Sequence, residues 1–584
     1  MDREMVNLMQ TIASKSMQLV HEFYQQPTPQ PLIIKQFIDL SEDYFHFLQL
    51  MFSNPEKLYC MQVAYWQEAM SLVSEQMSLW AEGKVTQSPD KRFADESWAT
   101  SPFFYLLWQQ YMLAAKHIQQ LVDSVEYKDK KTAKKIAFFT KQYLDALSPS
   151  NYIQTNPVLL QETMQSGGKN ILQGLKSLLE DLHSGKAHFN VKMTDYDAFQ
   201  VGKNIASTPG KVIFENDIFQ LIQYSPMTDK VKAVPLLIIP PWINKYYILD
   251  LSEDNSLVRY LVGKGMTVFM ISWVNPDEDH KDVGFFDYMT EGALKALTVV
   301  KQQTQQAKVN MLGFCVGGTL LSCLLAYLKA KNDHSVQSAT FLTSLIDFSD
   351  PGDLGIFIDE DQIQILEDEM NKKGYLDGRF MATTFNSLRA NDLIWSFFIK
   401  NYLQGKNPVP FDILYWNNDS THLPAKMHSQ YLRWMYLHND LIKPNQLSVG
   451  KTALDVHQID TPSFFVSTEK DHIALWQTTY NGFLAFNGEK QFVLGGSGHI
   501  AGIINPPSPK KKYGYYTNPT LDADAQTWLK QASHHQGSWW PYWLKWLKSK
   551  SGGFVPARSV ENGKYKPIEN APGSYVMVKK GHIQ

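Results

Sequence analysis

The hydrophobic pattern changes once along the chain, near residue 190. Before that point apolar residues recur at helical spacing. From Pro55 onward, Trp66, Met70, Val73, Met77 and Trp80 advance by alternate steps of four and three, which lays one apolar stripe along a helix and predicts that the stripe packs into a core. Further helices are predicted over about 102–122, 131–147 and 157–183, the second halted by "SPSN" and "TNP". Residues 1–190 therefore read as an all-helical N-terminal domain. From 191 to 584, short continuous apolar runs alternate with helical patterns, the signature of a mostly parallel sheet covered on both faces. The runs are "VPLLIIPP" (234–241), "TVFMISW" (267–273), "VNMLGFC" (309–315), "SATFLTSLIDF" (338–348), "PSFFVST" (462–468) and "KQFVLGG" (490–496).

Two stretches depart from that rhythm. Between Phe348 and Pro462 lie 113 residues, far more than strand connections in such sheets usually need, so 349–461 is expected to be a structured lid or cap. Near the C-terminus, "GSWWPYWLKWLKSKSGG" concentrates four tryptophans among lysines. One reading lays it on a lipid or polymer surface. The favoured reading is a last helix docked on the sheet, with Trp539 and Trp543 on one face.

Composition narrows the function classes. Hydrophobic residues make up 44% and charged residues 19% of the 584, which suits a globular protein and not a disordered one. A formal net charge of −3 supplies no basic field for a nucleic acid backbone. Cys60, Cys315 and Cys323 are too few and scattered for a disulfide framework or a zinc site, so a reducing cytosol is expected, with no metal and no cofactor. The opening "MDREMVNLMQ" shows no secretory signal. Proline breaks the longest apolar run, "AVPLLIIPPWI", so no transmembrane segment is predicted and any membrane or lipid association would be peripheral.

The chemistry concentrates in "NMLGFCVGGTLLS", residues 310–322. Gly313 and Gly317 flank Cys315 in the pattern Gly-x-Cys-x-Gly, with a strand before it and the helical "GTLLSCLLAYL" after it. In α/β hydrolases such a turn lifts the nucleophile, commonly serine, to the top of the sheet. A thiol at this place meets the positive end of the helix macrodipole, which favours its thiolate. Cys323, eight residues on inside the apolar helix, reads as structural. In this fold an acid and then a histidine follow the nucleophile in chain order, each just beyond a later strand. Asp471 follows "PSFFVSTEK" and His499 lies in "LGGSGHIAGIINPP"; Glu469 and His472 compete at the first corner. Oxyanion donors are expected from the N–H of Val316 and, in the loop after "LLIIPP", of Ile243.

Taken with "FENDIFQLIQY", "PPWINKYYILDL", "FMISWVNPD", "FFDYM", "DHI", "GSGHIAGIINPP", "GSWWPYW" and "SPSNYIQTNP", the chain resembles the single-subunit, class I polyhydroxyalkanoate synthases over nearly all of its length. That resemblance implies an α/β-hydrolase catalytic domain in which Cys315, Asp471 and His499 form a triad. It implies an acyltransferase that polymerises short-chain (R)-3-hydroxyacyl-CoA, such as 3-hydroxybutyryl-CoA, and releases CoA. It further implies a homodimer at the surface of cytoplasmic polyester granules, in company with granule-associated proteins. Trp242 stands where a smaller residue is expected. Two rival readings are a thiol-dependent thioesterase or lipase-like hydrolase, and a non-catalytic granule-surface protein.

Overall fold

The computed structural model describes residues 31–184 and 191–579, apart from residues 83, 85, 511 and 523, together with residues 10–12 and 15. Two compact units emerge. The first comprises Met1–Asp195 with Thr383–Val409 and the last two residues, and the second Tyr196–Ala382 with Pro410–His582.

The first unit is helical: α1 (Pro31–Phe52), α2 (Pro55–Ala81), α3 (Pro102–Asp123), α4 (Lys130–Ala146), α5 (Pro157–Gln165) and α6 (Lys169–Ser184). Local chemistry sets the boundaries. Proline opens α3 and α5, where a missing N–H costs no helical bond, and the Asn156 side chain accepts from the free N–H groups of Val158 and Leu159. The single helix expected over 157–183 is in fact two. Gly167 and Gly168 adopt φ of 60° and 83°, a left-handed turn that ends α5 before α6 begins.

A second expectation also fails. Trp66, Met70 and Met77 were expected in a core, yet they are 55%, 70% and 65% exposed. The face of α2 that meets α3 carries Tyr65 and Glu68, which contact His117 and Lys116, while Ala69 and Gln76 are buried. That face lies about 120° around the helix from the apolar stripe. Aromatic packing in this unit centres instead on Phe93, Trp98, Tyr105 and Trp108.

Part of the long insertion belongs to this helical unit. Asn170 Nδ2 donates to the Leu403 carbonyl at 2.8 Å, Tyr402 Oη donates to Asp181 at 2.5 Å, and Lys406 pairs with Glu162 at 2.8 Å. At Gly174 a Cβ would stand 1.9 Å from the Tyr402 carbonyl oxygen, so only glycine permits this approach.

The second unit is built on an eleven-stranded sheet. Its strands are β1 (Gly210–Glu215), β2 (Phe219–Tyr224), β3 (Leu236–Ile239), β4 (Val268–Trp273), β5 (Val309–Phe314), β6 (Val336–Leu342), β7 (Ser463–Thr468), β8 (Lys490–Gly495), β9 (Tyr515–Thr517), β10 (Ser533–His535) and β11 (Glu569–Asn570). Their spatial order is β10-β9-β8-β7-β6-β5-β3-β4-β2-β1-β11. The six middle strands, β8 to β4, run parallel, and antiparallel strands extend both edges. Every residue of β3, β4, β5 and β7 is buried, the physical reason these strands appear as unbroken apolar runs. The run expected over 338–348 stops being strand at Leu342, because Thr343 turns the chain with φ of 41°.

The tryptophan-rich tail forms α8 (Trp540–Lys550), after α7 (Val316–Ala330) in chain order among the helices labelled here. Trp539, Trp540, Trp543 and Trp546 are all buried, and Trp543 Nε1 donates to Thr340 Oγ1 at 3.0 Å on β6. The docked-helix reading holds.

Candidate active site

Cys315 occupies the single residue between the end of β5 and the start of α7, with φ 53° and ψ −123°. A non-glycine residue held there is strained, and such strain persists only where neighbours over-determine it. Here the neighbours are hydrogen bonds and glycines. The Cys315 N–H donates to the Leu342 carbonyl on β6 and the Cys315 carbonyl accepts from the Gly318 N–H, both at 2.9 Å. A Cβ at Gly313 would lie 2.4 Å from the Gly318 Cα, and one at Gly317 would lie 2.2 Å from the Ile239 carbonyl oxygen at the end of β3. The helix can start this close to the sheet only without those side chains. Cys315 is half-buried, whereas Cys323 is fully buried among apolar groups and burial pushes its thiol up to about 12, which makes it chemically quiet.

Asp471 and His499 meet above the ends of β7 and β8. His499 Nδ1 lies 2.7 Å from Asp471 Oδ2, and both side chains are buried. The Asp471 carboxylate is fixed from below: Oδ1 accepts from the N–H groups of Ile473 and Ala474 at 2.9 Å each, and Oδ2 from Thr468 Oγ1 at 3.4 Å. Glu469 is exposed, so of the two carboxylates at this corner Asp471 is the one that faces the imidazole. Burial works against a charged His499 ring. The Asp471 carboxylate, to which the ring donates a hydrogen bond, and the neighbouring Cys315 sulfur nevertheless raise it from 6.5 to about 10. The ring also stacks on Phe314, centroids 5.8 Å apart, beside the turn at Cys315. Asp471 and His499 thus form a buried hydrogen-bonded pair, and the His499 ring stacks on the residue that precedes Cys315.

The loop that carries His499 is held by the tail. Trp539 Nε1 donates to the Gly502 carbonyl and Trp540 Nε1 to the Ile503 carbonyl, each at 2.9 Å. At Gly502 a Cβ would stand 2.4 Å from Thr468 Cγ2, so the loop closes tightly on the end of β7. The Lys470 N–H donates to the Ser497 carbonyl at 2.9 Å, which ties the acid corner to the histidine loop. The tryptophan motif signals a docked helix, but its second role at these two carbonyls carries no signal in the sequence.

On the other side of Cys315 the loop after β3 brings Trp242 and Ile243. Trp242 is not loosely accommodated: it is buried, with rings of Tyr288, Phe285, Tyr431 and Trp273 at centroid distances of 5.2, 5.9, 6.1 and 6.2 Å. Tyr431 and Tyr436, ring centroids 5.5 Å apart, come from the insertion, and burial first of all raises both phenols. The N–H of Val316, at the first position of its helix, and that of Ile243 have no hydrogen-bond partner among the described residues. Also among the described residues, no group of His, Cys, Asp and Glu could hold a metal ion, and no helix is long and apolar enough to cross a membrane.

Comparison with known proteins bears directly on this arrangement. Residues 89–261 match the family model for the poly-beta-hydroxybutyrate polymerase (PhaC) N-terminus, and residues 235–506 match that for the alpha/beta hydrolase fold. A poly(3-hydroxyalkanoate) polymerase of Methylorubrum extorquens is 47% identical over 85% of this chain and 82% of its own. The chain belongs to the poly(3-hydroxyalkanoate) polymerase family. Another relative, the polymerase subunit PhaC of Cupriavidus necator, is 43% identical over 86% of each chain. A monoacylglycerol lipase of Paleococcus ferrophilus, with a solved structure, aligns with 57% of this chain and 99% of its own at 9% identity and a TM-score of 0.31. In this member of the polymerase family the family match spans both units, and the α/β-hydrolase sheet carries the cysteine, the acid and the histidine at the ends of β5, β7 and β8.

Proposed function

We propose that this chain is an acyltransferase that polymerises (R)-3-hydroxyacyl units from their CoA thioesters and holds the growing polyester as a thioester on Cys315. The observation that carries the reading is the 2.7 Å contact of Asp471 with His499, whose ring stacks on Phe314 beside the strained Cys315, in a chain of this family. In the loading half-reaction the Cys315 sulfur attacks the thioester carbonyl, the bond to the CoA sulfur breaks, and the proton on His499 passes to the departing CoA thiolate. The N–H groups of Val316 and Ile243 meet the tetrahedral oxyanion. One thioester replaces another, so loading is nearly balanced in energy and the acyl group stays activated.

In the extension half-reaction the 3-hydroxyl of another unit attacks that acyl group. Its proton goes to His499, an oxygen ester forms, and the carbon–sulfur bond breaks to restore the Cys315 thiolate. The ester is more stable than the thioester consumed, which drives growth. Serine in place of Cys315 would hold the acyl unit as an ordinary ester from the start. His499 acts through Nε2 in both halves, as the acid in loading and the base in extension, since Nδ1 faces Asp471. Asp471 has its oxygens taken by two backbone N–H groups, Thr468 and the imidazole, so it orients the ring and meets no substrate hydroxyl.

The same reading makes 349–461 a cap that limits water, the competing nucleophile. It also makes the protein a cytoplasmic homodimer at the granule surface. Exposed apolar side chains on α1 and α2, Phe45, Phe52, Trp66, Met70 and Met77 among them, support contact with an apolar polyester phase. Purified protein given (R)-3-hydroxybutyryl-CoA tests the chemistry: CoA release with growing turbidity is expected, and Cys315→Ala should abolish both. Soluble 3-hydroxybutyrate as the main product would make the protein a hydrolase, and unchanged CoA release in Cys315→Ala would overturn the mechanism.

A further inference from the structure

The N–H of Ile243 belongs to the peptide unit whose carbonyl is that of Trp242. In a planar trans peptide the C=O and N–H point in opposite directions, so whatever fixes the Trp242 carbonyl also aims the Ile243 N–H. That group is the hydroxyl of Thr421, from the long insertion. Thr421 Oγ1 donates to the Trp242 carbonyl at 2.6 Å and accepts from the Asn244 N–H at 3.0 Å. One oxygen thus grips the peptides on both sides of Ile243, using one donor and one acceptor site of a hydroxyl. Asn244 itself sits at φ 61°, a left-handed turn that lets both groups face the same oxygen.

We infer that Thr421 is a positioning residue for the reaction: its hydroxyl orients the Ile243 N–H as an oxyanion donor. The inference rests on the oxyanion role proposed above for Ile243. Two features favour orientation over packing. The donor bond is short and buried, where water does not compete for the carbonyl. The segments around it are already anchored, because His422 N–H donates to Asn275 Oδ1 at 2.9 Å and Trp416 Nε1 to the Lys245 carbonyl at 2.6 Å. What the Thr421 hydroxyl adds to that anchored contact is the angle of a single peptide plane. An oxyanion donor acts through that angle, since its effect depends on where the N–H points when charge develops on the substrate oxygen.

The test compares the wild type with Thr421→Val, which keeps the shape and removes the hydroxyl, and Thr421→Ser, which keeps the hydroxyl. Two rates are read on each: steady-state CoA release from (R)-3-hydroxybutyryl-CoA, and alkylation of Cys315 by iodoacetamide followed on its own peptide by mass spectrometry. Alkylation is a displacement at a saturated carbon and forms no oxyanion. T421V should lose about ten- to a hundredfold in kcat with KM little changed. Its Cys315 alkylation rate should equal that of the wild type, and T421S should recover most of the kcat. A T421V enzyme with wild-type kcat overturns the inference, as does one whose alkylation rate falls together with kcat, since that would mean the whole site had shifted. Should the valine variant not fold, Thr421→Ala against T421S makes the same one-oxygen comparison. Failure of the underlying chemistry looks different: Cys315→Ala would then keep releasing CoA whatever stands at 421.

Discussion

The turns that follow β5 and β3 lie side by side at the same edge of the sheet, and they are built by different means. The turn at Cys315 is self-contained. Its φ of 53° is enforced by Gly313, Gly317 and Gly318, whose missing side chains let the start of α7 press against backbone and against Ser344. The loop from Trp242 to Tyr247 has no such local determinant beyond Asn244. It is held by partners more than 170 positions away: Thr421 on its peptides, Trp416 on the Lys245 carbonyl, and Asp419 on both Lys245 Nζ at 2.9 Å and Tyr247 Oη at 2.6 Å. Lys245 also donates to the Val576 carbonyl at 2.7 Å. Cys315 is therefore held by sterics that a short motif encodes, while the loop beside it is set by a polar seam that only the folded insertion supplies.

The sharpest way to break this contrast is Gly317→Ala. The added Cβ would meet the Ile239 carbonyl oxygen at 2.2 Å, and backbone on both sides cannot yield as a flexible side chain would. Loss of all measurable CoA release is expected, with a lowered urea midpoint; wild-type activity would show that the turn is not sterically set. Lys245→Met tests the other turn. It leaves Asp419 buried without its ammonium partner, a change that costs about 3–5 kcal/mol, read as a fall in unfolding free energy in urea. The turn at Cys315 should survive it, so Cys315 alkylation in the folded fraction should keep its wild-type rate. The smallest effect concerns pH. His499 is raised from 6.5 to about 10 in the folded chain, so the stability contributed by its protonated form is complete below pH 6.5 and is lost as pH rises through about 10. The stability of the wild type relative to His499→Gln, followed by thermal unfolding, should narrow across that window. An advantage that widened with pH would contradict the assignment.

Much of the catalytic unit was legible because its rules are local. A strand buried on both faces must be apolar throughout, so β3 to β8 stood out as runs, with boundaries displaced by a few residues at Leu342 and elsewhere. The order cysteine, acid, histidine follows from parallel topology, which sends the ends of β5, β7 and β8 to one edge. The helical unit was harder. Periodicity shows that α2 has an apolar face, but it does not say which side meets α3; the contact uses Tyr65, Glu68 and Ala69, and Trp66, Met70 and Met77 face outward. The glycine pair at 167–168 was readable in principle as a helix stop, yet the apolar pattern resumes at once in α6 and masks it. Thr421 in "NDSTHLPAK" looks like any loop threonine, and nothing near it in the chain points to Trp242.

The sequence by itself determined the sheet, the strained cysteine turn and the candidates for its acid and base, because each depends on the size, polarity or spacing of residues close together in the chain. Tertiary structure alone decided that Asp471 and not Glu469 meets His499, that Trp539 and Trp540 hold the histidine loop, and that Thr421 grips the peptides around Ile243. Those outcomes depend on hydrogen bonds between segments tens to hundreds of residues apart. Their directions exist only once the segments are packed, and no linear pattern carries an angle.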